Sequence, residues 1–149
     1  MKVINRVLIL TVLFGVPTIL QAADNYFLCN TSKGTLSLTD IDNQLIYEMS
    51  NQHGNKFQYI SKASRYSGFL YNHYSRFQTD YFNISFSQDG YKYTVFSNYE
   101  NGSSMSGVSV VDMKTKKEYV YNCNDYKVDK LADLVKKLQC DTDNTLGCQ

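Results

Sequence analysis

The chain has 149 residues and a formal net charge of +1, with 15 Lys and Arg against 14 Asp and Glu. That balance excludes a general nucleic-acid binder, which needs a basic face to displace counterions. Thirteen Tyr and eight Phe, no Trp and a single Pro point to strands with half-exposed aromatic faces.

At the N-terminus, Lys2 and Arg6 precede an almost wholly apolar stretch from Val7 to Leu20, and Gln21-Ala22-Ala23 supplies small residues for cleavage. This order predicts a secretory signal peptide over residues 1–22, cut after Ala22 or Ala23. The apolar run is about 14 residues, short of the roughly 20 that cross a bilayer. Cys29 does not read as a lipid-attachment site, because Tyr26-Phe27-Leu28 lacks the small residues such cleavage needs. Cutting after Ala22 leaves 127 residues, 23–149, enough for a single domain around one core. Loss of Lys2 and Arg6 turns the net charge from +1 to −1. With no second long apolar run, stable membrane insertion is not expected after cleavage.

The mature chain keeps four cysteines: Cys29, Cys123, Cys140 and Cys148. An even count in an exported chain predicts two disulfides in a periplasmic or secreted protein. Three pairings are open, and strand order favours Cys29–Cys123 with Cys140–Cys148. The spacings lack the close paired thiols of a zinc site, so no metal is expected.

Strands are expected near Tyr26–Asn30, Thr35–Thr39, Gln44–Met49, Lys56–Ser61 and Gly68–Tyr74. Polar turn clusters separate the first four, at Asn30–Gly34, Asp40–Asn43 and Ser50–Asn55. The clearest local signal follows. Phe82, Ile84 and Phe86 alternate with polar neighbours, Asp89-Gly90 turns the chain, and Tyr91, Tyr93 and Val95 alternate again. A second hairpin runs from Val108–Val111 through Lys114-Thr115-Lys116 to Tyr119, Tyr121 and Cys123. Short strands with turn chemistry at this spacing predict a mainly β fold, an antiparallel small barrel or sandwich of about eight strands.

Val128, Leu131, Leu134, Val135 and Leu138 recur at spacings of three and four, with Lys127, Lys130, Lys136 and Lys137 on the other face. That pattern predicts one C-terminal amphipathic helix over about 127–139, capping the barrel. A disulfide-closed tail then ends the chain. Asp141-Thr142-Asp143-Asn144 resembles the start of a calcium loop but lacks the Gly and distant Glu that complete one.

Catalytic signatures are few. The two histidines are His53, in a turn cluster, and His73, among tyrosines. No Gly-x-Ser-x-Gly elbow and no glycine-rich phosphate loop occur, and the carboxylates fall singly, mostly in turns. No enzymatic activity and no cofactor are expected. Asn30-Thr31-Ser32, Asn83-Ile84-Ser85 and Asn101-Gly102-Ser103 match the glycosylation acceptor, which matters only in a eukaryotic source.

The densest cluster runs from Arg65 to Arg76 and mixes Tyr, Ser, Gly, Asn and Arg, the composition of a recognition surface. Tyr66, Ser67, Tyr71, His73 and Arg76 are therefore the candidate partner-binding residues. The plain alternative is a strand whose inward aromatics fill the core, and alternation allows both.

Phe27-Leu28-Cys29, Tyr121-Asn122-Cys123 and Ser67-Gly68-Phe69-Leu70-Tyr71 together resemble the layout of periplasmic inhibitors of C-type lysozyme. Those are small exported β-barrels whose Ser-Gly-x-x-Tyr stretch blocks the lysozyme cleft. The chain departs from them in having no Trp-rich segment after the motif and in its extra C-terminal region. The resemblance implies an inhibitor. The leading expectation is thus an exported binding protein that neutralises another protein, a lysozyme or a toxin, in the manner of an inhibitor or immunity protein. The alternatives are a structural or assembly component of the cell envelope and a small hydrolase.

Overall fold

The computed structural model describes residues 23–62 and 65–149; the expected signal peptide lies outside them. Alternating inward and outward residues give ten strands: β1 (Asp24–Thr31), β2 (Gly34–Ile41), β3 (Gln44–Ser50), β4 (Lys56–Ile60), β5 (Leu70–Arg76), β6 (Thr79–Gln88), β7 (Tyr91–Glu100), β8 (Ser103–Asp112), β9 (Glu118–Asp129) and β10 (Gln139–Cys140). They form one sheet in the order β10-β5-β6-β7-β8-β9-β1-β2-β3-β4. Every pairing is antiparallel except that of β10 with β5.

The meander is made by tight turns. Two-residue loops join β2 to β3 at Asp42-Asn43, β6 to β7 at Asp89-Gly90 and β7 to β8 at Asn101-Gly102, and in all three both residues have positive φ. That backbone matches the right-handed twist of the flanking strands, and Asn, Asp and Gly tolerate it best.

The sheet curls into a half-barrel, and aromatic side chains on its inner face join the two halves. Tyr59 of β4 stacks on Phe86 of β6 with ring centres 4.2 Å apart. Phe86 in turn stacks on Tyr93 of β7 at 4.9 Å, and Tyr93 on Phe57 of β4 at 4.9 Å. Register shifts in β1, on both its β2 and β9 sides, mark bulges that add twist where the halves meet. Cys29 of β1 is bonded to Cys123 of β9 across this same boundary.

The C-terminal region corrects two expectations. No amphipathic helix spans residues 127–139. β9 continues to Asp129, with Val128 opposite Leu28, and only a single 3₁₀ turn follows at Leu131–Leu134. The spacing of the apolar residues was informative all the same, since Leu131, Leu134 and Leu138 are buried in the core. So short a segment has little helical stability of its own, and pairing with β1 claims its first residues. Among the described residues the strand count is ten rather than about eight, and the sheet is an open half-barrel. Its end strands, β10 and β4, are not hydrogen-bonded to each other. β10 was invisible in the sequence because two residues paired in parallel to a distant strand leave no local pattern.

The last ten residues seal one side of the sheet. Cys140 lies opposite Tyr71, the chain loops out, and Cys148 returns opposite His73. The Cys140–Cys148 disulfide closes the loop. Asp141 N donates to Tyr71 O (2.7 Å), His73 N to Gly147 O (3.2 Å) and Gln149 N to His73 O (3.0 Å). The buried Asn72 amide donates to Gly147 O (2.8 Å), and Lys92 Nζ reaches the buried Asp141 carboxylate at 3.0 Å. The outward backbone of β5 is thus hydrogen-bonded by the tail at Tyr71 and His73.

Candidate functional site

The five residues expected at a partner surface do not form one patch. β5 carries three of them, and alternation sends Tyr71 and His73 inward and Arg76 outward. Tyr71 lies opposite the fully buried Ile84 and packs on the core. His73 packs on Phe82 with ring centres 4.6 Å apart. Its Nε2 lies 2.7 Å from Asp80 Oδ1 and its Nδ1 2.6 Å from the Gln149 main-chain oxygen. Nδ1 thus ties the tail to the sheet, while Nε2 ties β5 to its neighbour β6.

Tyr66 and Ser67 sit in the loop between β4 and β5. Lys62 N donates to Ser67 O (2.9 Å) and Phe69 N to Tyr66 O (3.1 Å), which brings Lys62 against Ser67 and Tyr66 against Phe69. Arg65 and Tyr66 both adopt left-handed φ, +61° and +55°, a conformation that costs a side-chain-bearing residue roughly 1 kcal/mol or more. Gly68 at φ +99° lets the loop close over β4, since a Cβ there would come within 2.3 Å of the Tyr59 hydroxyl oxygen. Tyr66 itself is buried, and its hydroxyl donates to Asp40 Oδ2. Burial first, then that hydrogen bond, push the Tyr66 phenol far above its ordinary value. Lys137 Nζ donates to the Tyr26 hydroxyl and lies over the Tyr26 ring, 4.9 Å from its centre. The Tyr26 hydrogen bond holds the Lys137 ammonium above its usual range.

Tyr66 is therefore a strut, whereas Ser67, like Arg65 and Gly68 on either side of it, is exposed. Beside it lies a cavity of about 650 Å³ lined by Asn43, Arg65, Tyr66 and Lys136 to Gln139. Among the described residues, neither Arg65 nor Lys136 has an ion-pair partner.

Arg76 lies about 20 Å further along, by the rise of an extended strand, at the β5–β6 hairpin. Its Nε donates to Thr79 Oγ1 (3.4 Å), and its guanidinium lies 5.8 Å from the centre of the Tyr74 ring. Tyr74 pairs with Tyr81 at 6.1 Å on the same outer face. Hydrogen bonding to the Glu100 carboxylate holds the Tyr81 phenol above its ordinary value. Phe77, the next residue of the turn, is 88 % exposed, and Tyr99 and Met105 are exposed at the same end of the sheet. The recognition-type composition of the segment ends at Arg76 and does not mark Phe77. Its signal was a bulky apolar residue in a two-residue turn, where polar residues are the rule.

Among the described residues, no three His, Cys, Asp or Glu side chains gather to hold a metal ion. No helix among them is long and apolar enough to cross a membrane. The fold and its chemistry define an all-β domain with two disulfides, a construction suited to an oxidising compartment. Comparison with protein-family models, with curated proteins and with solved structures finds no match.

Proposed function

We propose that this domain is exported to the periplasm or the exterior and there neutralises another protein by binding it. The observation that carries the reading is the β5–β6 hairpin tip. Phe77 is 88 % exposed in the turn next to Arg76, whose guanidinium lies by the Tyr74 ring, and Tyr74 pairs with Tyr81 on the same hairpin. Leaving a Phe side chain in water forgoes roughly 2–3 kcal/mol of burial. Aromatic and Arg side chains clustered on a rigid two-strand support are typical interface anchors.

A second reading places the binding surface at the β4–β5 loop. The exposed Ser67, held on the strained turn at Arg65 and Tyr66 beside a cationic cavity, favours it. There the likeness to lysozyme inhibitors would apply, with Ser67-Gly68 entering an enzyme cleft.

The test is capture on the immobilised mature protein, using C-type lysozymes and secreted toxins as prey, followed by affinity measurement. Phe77→Ala is expected to weaken the captured complex by about 2 kcal/mol, or thirtyfold, with the melting temperature unchanged. Loss of binding in Ser67→Arg with normal binding in Phe77→Ala moves the surface to the loop. Full affinity in both variants removes both surfaces. Recovery only with large envelope assemblies supports a structural role instead, and turnover in a broad hydrolase screen supports an enzyme.

A further inference from the structure

Beyond that reading, we propose that the bare edge of β4 pairs antiparallel with β4 of a second copy of this chain, about a two-fold axis through Gln58. Two hydrogen bonds fix which backbone groups face outward. Ser61 N donates to Leu45 O and Asn51 N to Asn55 O, each at 2.9 Å, one at either end of the β3–β4 pair. With Tyr47 opposite Tyr59 and Met49 opposite Phe57, the odd-numbered residues of β4 bond to β3. The N–H and C=O groups of Lys56, Gln58 and Ile60 then point away from the sheet. Among the described residues no main-chain partner meets them.

These three outward positions are symmetric about Gln58. Antiparallel pairing with a second copy sets Gln58 against Gln58 and Lys56 against Ile60, and satisfies every outward group of the three residues at once. Such a self-complementary register is what a two-fold contact requires. No like charges face each other. Lys56 is already neutralised by Glu48 at 3.0 Å, and the Gln58 amide donates to the same carboxylate at 2.6 Å. Ile60 is 45 % exposed and lies opposite Ile46, with Ile41 exposed at the near end of β2. These isoleucines supply apolar area beside the edge. β4 itself carries neither Pro nor a bulge, devices that keep edge strands from pairing.

A five-residue strand forms a small interface, in the weak, reversible class. The experiment is sedimentation equilibrium of the mature, disulfide-bonded protein over a wide concentration range. A reversible monomer–dimer equilibrium is expected. The Gln58 and Ile60 amides should exchange more slowly as concentration rises. Gln58→Pro removes one outward N–H and leaves the β3–β4 ladder intact, because Pro is tolerated where an edge N–H faces solvent. Ile60→Lys, which places a charge on the edge, serves if the Pro variant fails to fold. Each should weaken dimerisation at least about tenfold. A monomer at every concentration overturns the proposal. So does a dimer that neither variant moves, or a β4 edge that pairs only with a strand of another protein.

Discussion

The two sides of this sheet receive opposite treatment. Beyond β5, ten residues and a disulfide cover the strand, and the tail hydrogen-bonds the β5 backbone at Tyr71 and His73. Beyond β4, no described main-chain group meets the outward backbone of Lys56, Gln58 and Ile60. Both strands turn aromatic side chains into the same core, so packing does not separate them. The difference lies in how the backbone is satisfied. One strand is closed by its own chain, and the other presents its donors and acceptors to solvent or to a partner.

The strongest way to break the comparison is to remove the covalent ties separately. Replacing Cys29 and Cys123 together by Ala should cost about 4–5 kcal/mol in denaturant unfolding, since it opens a loop of 94 residues. The Cys140 and Cys148 pair closes only 8 residues and should cost about 2–3 kcal/mol. Its loss should act locally, with faster amide exchange at His73, Asp141 and Gln149 and unchanged exchange in β7 and β8. Equal protection everywhere would mean that the tail does not seal β5.

The β4 side is sharpened by comparing its two faces. Tyr59 is buried and stacked on Phe86, so Tyr59→Ala should destabilise by about 3 kcal/mol. Ile60→Lys, one residue on and facing outward, should stay within about 0.5 kcal/mol. A large cost for Ile60→Lys in the monomer would show that this edge is buried.

The smallest expected effect is electrostatic. Hydrogen bonding to Lys56 holds the Glu48 carboxyl below its usual range. A carboxylate with a lowered folded-state pKa contributes stability that is present above its unfolded pKa and lost as pH falls through the folded one. Because Lys56 is exposed and Glu48 only half-buried at the sheet surface, solvent screens the pair and Glu48→Gln should cost only about 0.3 kcal/mol at pH 7. Below the depressed pKa the difference should vanish, which melting at neutral and strongly acidic pH checks.

Much of this molecule was legible from local pattern. Phe82, Ile84 and Phe86 alternate because strand side chains alternate, and Asp89-Gly90 turns because its residues tolerate positive φ. The favoured cysteine pairing followed from placing Cys29 in the opening strand and Cys123 in a late one. The Arg65–Arg76 cluster was found by composition. Its division between a buried strut at Tyr66, inward faces at Tyr71 and His73, and an exposed tip at Arg76 was not, because the side that faces the core depends on which strands lie alongside.

The C-terminal region marks the boundary most plainly. Leu131, Leu134 and Leu138 declared their burial through spacing, since any compact turn of chain sets such residues on one side. Whether that turn became a helix was decided by β1, which took Val128 and Asp129 into the sheet. Local pattern was enough for nine of the ten strands, several of their turns and most of the core, all properties of neighbouring residues. Tertiary structure alone decided where the sheet stays open, which edge the tail covers and where Phe77 stands exposed. Those are matters of contact between segments tens of residues apart, and pairing free energy, not local propensity, selects them.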